Sequence, residues 1–271
     1  MFVDAALTWD EAARVDPARF GAVAVIDVLR ATTTMLAALE NGAAGVVPVA
    51  APEEAFEWRR RRPDVLLGGE RGAVRIAGFD LGNSPLEYAP ETVRGKLVVL
   101  TTTNGTRAFR QVLQTFAAAG SGGSGPPEGP DAEEKRAGPA VLAACLRNAA
   151  AAAAALAREA RRSGRGVLLV CSGTDGRFSR EDAYCAGVIV RHLERLEDVR
   201  RGDGADAAVR LLRPDASALE ELSSSFHGRR LLALGLERDI EFCAATDVSA
   251  GVPRLVSGML VLAGNRGSCG E

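Results

Sequence analysis

AVAVIDVLRATTTMLAALENG, Ala22 to Gly42, decides how the rest of the chain is read. Five small or β-branched residues, Ala22 to Ile26, run into a carboxylate, Asp27. Arg30, the threonines Thr32, Thr33 and Thr34 and an apolar-periodic helix follow, and Asn41-Gly42 stops the helix. This is a buried strand feeding a helix through a polar turn. Such a turn gathers a carboxylate, a guanidinium, three hydroxyls and the unpaired amides of a helix N-terminus, which together suit a phosphorylated ligand. The plainer reading is that the threonines cap the helix and Asp27 merely ends the strand.

Outward from this unit the pattern repeats. GVVPVA (Gly45 to Ala50) is a second strand, and Pro52 with Glu53 and Glu54 opens a helix through Trp58. Val65 to Leu67 is a third strand leading into a turn, GGERG. AVRIAGFDLGNSPLEYAPETVRG then reads as a long ordered loop. KLVVLT (Lys96 to Thr101) is a strand, TTNGT a turn and Arg107 to Ala118 a helix. Val141 to Leu146 is the next strand, with Asn148 as N-cap of an alanine-rich helix to Arg162. GVLLVCSG (Gly166 to Gly173) is a strand ending in TDGRFSRED, followed by helix from Ala183 to about Glu197. Helical pieces run from Asp203 to Thr246, and LVSGMLVL (Leu255 to Leu262) looks like a final strand.

Strands alternating with helices predict an α/β fold: three-layer α/β/α with a largely parallel sheet and a helical C-terminal portion at 200–250. The 271 residues read as a single domain, with a low-complexity insertion at 118–139 that is expected to be a mobile surface segment.

Composition narrows the function. A net charge of -2 and 5% aromatic residues argue against a nucleic-acid partner. Five cysteines without a CxxC pair indicate neither a disulfide framework nor structural zinc, and they favour a reducing, cytoplasmic location. The N-terminus lacks a secretory pattern and no apolar run reaches about 18 residues, so no membrane partner is expected. His192 and His227, the two histidines, sit away from the polar turns, so a Ser-His-Asp or Cys-His site has no obvious base.

Three segments echo one another: VIDVLRATTT, VVLTTTNGTRAF and LLVCSGTDGRF each run strand, polar turn, helix. Ligands of parallel sheets bind beyond the carboxyl ends of the strands, so these turns predict one polar basin. Its candidate anions are Asp27, Glu70, Asp175, Glu181 and Asp182, and its candidate cations Arg30, Arg71, Arg107 and Arg177. Thr32 to Thr34, Thr101 to Thr103, Asn104 and Thr106 supply neutral donors. Carboxylates, arginines and hydroxyls without a His or Cys cluster fit Mg²⁺ beside a phosphate.

Competing readings attach to single motifs. Asp27 could be an aspartyl nucleophile of the haloacid-dehalogenase type, but the position two residues on is Leu29 instead of a second Asp. Cys171 to Arg177, CSGTDGR, has the C-x5-R spacing of cysteine phosphatases, with Asp175 placing an unwelcome charge in the loop. Asp182 reads equally as a metal ligand or as the partner of a Ser179 cap. Glu70-Arg71 could be a plain surface pair.

Taken together, IDVLRATTT, GGERG, GFDLGNSP, TTTNGTRA, the Arg147-Asn148 pair and CSGTDGRFSRED resemble the successive motifs of the 2-phosphosulfolactate phosphatases, Mg²⁺-dependent enzymes of the coenzyme M pathway. The resemblance runs from about Val23 to Gly187 and fades beyond about Arg200. It implies hydrolysis of the phosphate ester of a small sulfonated 2-hydroxy acid, with another phosphorylated 2-hydroxy acid as the alternative substrate. On the resemblance, Asp27, Arg30 and Asp182 are the catalytic candidates. Thr32, Thr33, Arg71, Asn83, Ser84, Thr103, Asn104, Gly105 and Thr106 are the substrate-binding candidates, and Asp27, Glu70 and Asp175 the metal ligands. Whether a carboxylate attacks phosphorus or activates water stays open, as does a non-catalytic binder of a phosphorylated metabolite. The Ala- and Leu-rich helices fit a core or a second copy equally, which leaves a homo-oligomer open.

Overall fold

The structure, a computed structural model, describes residues 1–120 and 138–262, so the insertion expected at 118–139 lies almost wholly outside the described residues. The first half contains β1 (Phe2–Ala6), β2 (Phe20–Ile26), α1 (Ala31–Glu40), β3 (Gly45–Pro48), α2 (Pro52–Arg61), β4 (Leu66–Arg71), β5 (Val74–Arg75), α3 (Pro90–Val93), β6 (Leu97–Thr101) and α4 (Gly105–Gly120). Then follow β7 (Ala140–Ala144), α5 (Ala149–Ser163), β8 (Gly166–Cys171), α6 (Arg180–Leu196), β9 (Arg200–Arg201) and α7 (Asp203–Arg210). The chain closes with α8 (Ala218–Ser223), α9 (Phe226–Ala233), α10 (Glu237–Ala244), β10 (Arg254–Val256) and β11 (Met259–Val261). Among the described residues no helix is long and apolar enough to cross a membrane.

The fold is α/β with helices on both faces of a mostly parallel sheet, ordered β5-β4-β6-β3-β11-β10-β7-β2-β8-β1-β9. β2 lies in the middle of one parallel block and is buried along its whole length, so neither face tolerates a polar side chain. Ala22, Ala24 and Ile26 face a core shared with the small residues of α5, including Ala152, Ala153 and Ala157, while Val23 and Val25 face α1 and α4. Small side chains on both partners let α5 approach the sheet closely.

Two blocks, β4-β6-β3 and β7-β2-β8-β1-β9, are parallel internally, and the β10–β11 hairpin joins them by antiparallel pairing on both of its sides. Counted through the hairpin, the blocks run in opposite senses, which in a flat sheet would send their carboxyl ends to opposite rims. They meet instead at one site: β3, β6, β2, β7 and β8 all contribute to the core that holds α1 and α4, and residues that follow β2, β6 and β8 line one cavity with Glu70 of β4.

Several expectations need correction. The final strand is two strands: Ser257 (φ 49°) and Gly258 (φ 81°) form a two-residue turn of the left-handed kind that tight hairpins prefer. GGERG is mostly strand: Gly68 to Arg71 are the last residues of β4, and the turn to β5 is Gly72-Ala73, again with both φ positive. The long loop after it holds β5, a 3-10 turn at Pro85–Glu87 and α3. β1 was not foreseen, since Asp4 interrupts FVDAA; its Oδ1 accepts the Ala5 N–H at 2.8 Å.

Candidate active site

Asp27 is the first residue after β2, and its neighbours fix it tightly. Its Oδ1 accepts the Ala31 N–H at 3.1 Å, so the carboxylate itself caps α1. Its backbone N–H and C=O exchange hydrogen bonds with Thr32 Oγ1 at 3.1 and 2.8 Å. Oδ2 is left facing Gly105, where a Cβ would come within 2.7 Å of it. Gly105 therefore makes room for the carboxylate instead of touching a ligand. Burial raises the Asp27 pKa to about 7, and the charges of Glu70 and Glu181 add to the shift.

A cavity of ≈140 Å³ opens above Asp27. Of the catalytic, substrate-binding and metal candidates, Asp27, Arg30, Glu70, Asn83, Thr103, Asn104 and Asp175 line it, as does Thr102, and the acids, amides and guanidinium of five segments do converge. Arg30 is buried, with Nη1 on Asp239 Oδ2 at 2.6 Å and Nε without a partner. Asn83 Oδ1 and His227 Nδ1 are likewise buried and unpartnered. Three orphaned polar atoms around one cavity mark a site that a polar ligand completes.

Glu70 is positioned differently from expectation. Its Oε1 accepts from both the N–H and the hydroxyl of Thr103 at 2.9 Å, and its Oε2 accepts the Ala73 N–H at 2.7 Å, so it clamps the β4–β5 turn to the start of α4. The surface-pair reading fails, because Glu70 is buried and Arg71 donates only to its main-chain oxygen. Asp175 stands at φ 52°, with its N–H donated to Asn104 Oδ1 at 3.1 Å, which ties the turn after β8 to the turn after β6.

Seven of the catalytic, substrate-binding and metal candidates do not line the cavity, nor do Glu181, Arg107, Arg177, Thr34 and Thr101 of the wider basin. Thr32, Thr33 and Thr106 spend their hydroxyls on the backbone carbonyls of Asp27, Val28 and Thr102. Ser84 donates to Asp239 at 2.6 Å. Arg71 turns away to Ala50 O and Thr101 Oγ1, and Gly105 lies behind Asp27. Asp182 sits beneath the floor, where Oδ1 accepts the Val28 N–H at 2.9 Å and Oδ2 the Gly173 N–H at 3.0 Å. Burial and the charge of Asp27 hold its pKa well above the usual carboxylate range. It joins two turns, and it does not partner a Ser179 cap, whose side chain makes no capping bond.

Other motifs resolve too. Cys171 is wholly buried in the apolar core, and burial drives its thiol pKa up, the reverse of a phosphate-cradling cysteine. Asn148 stands at the start of α5 but bonds Cys145 N–H and Gly251 O. His192 pairs with Asp247 at 2.8 Å. His227, set apart by its sequence context, is carried to the cavity by α9 together with Arg230, and no local signal announces either.

Comparison with known proteins bears on what this cavity serves. The family described as 2-phosphosulpholactate phosphatase matches residues 10–119 and 129–258. The chain belongs to that family. Named relatives are probable 2-phosphosulfolactate phosphatases: that of Thermotoga maritima is 43% identical over 239 residues, covering 88% of this chain and 90% of its own. That of Deinococcus radiodurans is 42% identical over 240 residues, covering 89% and 90%. The 2-phosphosulpholactate phosphatase match breaks between 119 and 129, inside the low-complexity stretch, and continues through α9. Helices beyond residue 200, where the sequence motifs fade, are therefore part of what the family shares.

Proposed function

We propose that this chain hydrolyses 2-phosphosulfolactate to sulfolactate and phosphate, with Mg²⁺ as cofactor. The observation that carries this reading is the cavity itself: a buried carboxylate, one of whose oxygens has no hydrogen bond among the described residues, shares with three orphaned polar atoms the lining of a space of ≈140 Å³. That is smaller than the roughly 300–1,000 Å³ of sites for drug-sized ligands, and it fits a compact phosphorylated acid. Family membership and the relatives' names supply the substrate.

The donor set fits a hard cation. Asp27 Oδ2 and the orphaned Asn83 Oδ1 are oxygen donors on one cavity, and Asp175 adds a carboxylate at its rim. Among the described residues no group of three or more His, Cys, Asp or Glu could hold a metal. Mg²⁺ does not need one, since it is bound through one or two carboxylates with waters and substrate phosphate completing the shell. Asp27 and Asp175 would hold it, and Glu70, tied by three hydrogen bonds, would act through its charge. The ion would supply Lewis-acid charge to the phosphate.

The residues themselves account for the rest. Arg30, fixed by Asp239, offers its Nε to a phosphate oxygen, and Thr102, Thr103 and Asn104 present the start of α4, whose first amides favour an anion. Water adds to phosphorus as the bond from phosphorus to the 2-oxygen breaks, and the 2-oxygen leaves with the bonding pair and takes up the proton that the water gives up. The free, buried thiols of Cys145, Cys171, Cys185 and Cys243 support a cytoplasmic location.

A phosphate-release assay across phosphorylated 2-hydroxy acids tests the reading. We expect 2-phosphosulfolactate to give the highest kcat/KM, EDTA to abolish turnover and Mg²⁺ to restore it. Thermal stabilisation without turnover would make the chain a binder, and turnover surviving EDTA would remove the metal. Cys171→Ser is expected to keep activity within about threefold, since its thiol is buried in the core; a loss above a hundredfold would return the cysteine mechanism.

A further inference from the structure

The helical portion after β9 reaches the cavity through one helix. α9 carries His227 and Arg230, three residues apart and so on one face, to the walls that also hold Asp27 and Arg30. The helix is seated by its own start. Ser225 Oγ accepts the Gly228 N–H at 2.9 Å, and a Cβ on Gly228 would lie 1.8 Å from the Leu222 carbonyl oxygen. Glycine alone permits that approach. Leu231 anchors the helix in the apolar core.

Two arginines line the cavity, Arg30 and Arg230, and of the two only Arg30 has a charge partner among the described residues. Arg180 and Arg213 pair with Glu221, Arg201 and Arg210 with Asp206, and Arg229 donates to the Ser224 carbonyl. Among the described residues nothing pairs with Arg230. Its Nη2 lies over Gly72, where a Cβ would meet it at 3.5 Å, and Gly72 itself lines the cavity. The neighbouring His227 has a buried, unpartnered Nδ1, and burial lowers its pKa, so the ring adds a hydrogen-bonding group without a second charge. Arg230, without a charge partner among the described residues, and Arg30, fixed by Asp239, therefore line the same cavity as Asp27.

We infer that Arg230 determines specificity in this site by receiving the sulfonate of the substrate, while the phosphate lies against Arg30 and the start of α4. The inference rests on the phosphatase reading above and adds to it the residue that distinguishes a sulfonated substrate from a plain one. A guanidinium fork pairs with two oxygens of a sulfonate, and a substrate lacking that group forfeits the pairing and leaves the arginine as it was.

The test compares wild type, Arg230→Ala and Arg230→Lys on 2-phosphosulfolactate and on 2-phospholactate, which lacks the sulfonate. Calorimetric titrations with sulfolactate and with inorganic phosphate accompany the kinetics. In Arg230→Ala the ratio of kcat/KM for the sulfonated over the plain substrate is expected to fall at least thirtyfold, mainly through KM, and Arg230→Lys to recover part of it. Sulfolactate affinity should drop tenfold or more and phosphate affinity less than twofold. Equal losses on both substrates, or an unchanged ratio, overturn the assignment. If wild type turns over neither substrate, the phosphatase reading fails separately. The titrations then decide Arg230 alone: sulfolactate binding that is absent in wild type, or unaltered in Arg230→Ala, rejects it.

Discussion

Asp27→Asn is expected to lower kcat/KM by at least about a hundredfold and, at pH 8 in EDTA, to raise Tm. The two effects share one cause. Asp27 is a carboxylate that the fold holds out of water beside Glu70 and Glu181, with only Oδ1 satisfied. Loss of a group that touches the reacting phosphate and its cation costs about 10²–10⁴ in rate. The sign of the stability effect follows from the raised pKa, about 7 in the fold against 3.8 for the free side chain. The protonated form is favoured by folding, so its contribution is complete below the free value and is lost as pH rises through about 7. Above that, the native state carries the cost of a buried charge, at most about 4 kcal/mol from the shift. The amide variant carries none of it. We expect the variant to gain roughly 5 °C or more at pH 8 and nothing below pH 4, at ~2–4 °C per kcal/mol for a chain of this size. Mg²⁺ should raise the Tm of wild type at pH 8 and leave that of the variant unmoved, because only the carboxylate would couple binding to folding. A variant no more stable than wild type at pH 8, or one that Mg²⁺ stabilises equally, refutes the assignment.

What the sequence disclosed follows from which forces are local. β2, β3, β6, β7 and β8 are legible because strands buried on both faces must be unbroken apolar runs. Within each block parallel strands gather their outgoing turns, so Asp27 beside Asp175 and Glu70 beside Asn104 are legible; that two blocks of opposite sense bring both pairs to one cavity is not. Nor is direction. Thr32, Thr33 and Thr106 stand in the right turns, but short hydroxyls at a helix start reach their own backbone before they reach a ligand. Long-range delivery is not legible either. His227 and Arg230 look remote until α9 packs against α8 and the core, and the β10–β11 hairpin that unites the two sheet blocks reads as one strand because its turn residues, Ser257 and Gly258, sit inside an apolar run.

Asp239, absent from every motif, is expected to be among the most costly residues to replace. It accepts from Arg30 Nη1 and from Ser84 Oγ, both at 2.6 Å, and both it and Arg30 are at most 4% exposed. A charge pair removed from water is not in itself a strong source of stability, since desolvation offsets the attraction, but removing one member leaves the other buried and uncompensated at about 3–5 kcal/mol. Asp239→Ala should therefore lower Tm by roughly 6–20 °C at pH 7.5. Arg30, released from its partner, would no longer hold its Nε toward the cavity, and phosphate release should fall about a hundredfold. Stability and activity separate in a second variant. Arg30→Met with Asp239→Leu replaces the pair by apolar groups of similar bulk, which a buried site accepts at little cost. That double variant should regain most of the lost Tm while remaining as inactive as Asp239→Ala. Recovery of activity along with stability would mean that Asp239 only supports the fold and that Arg30 has no part in holding the phosphate.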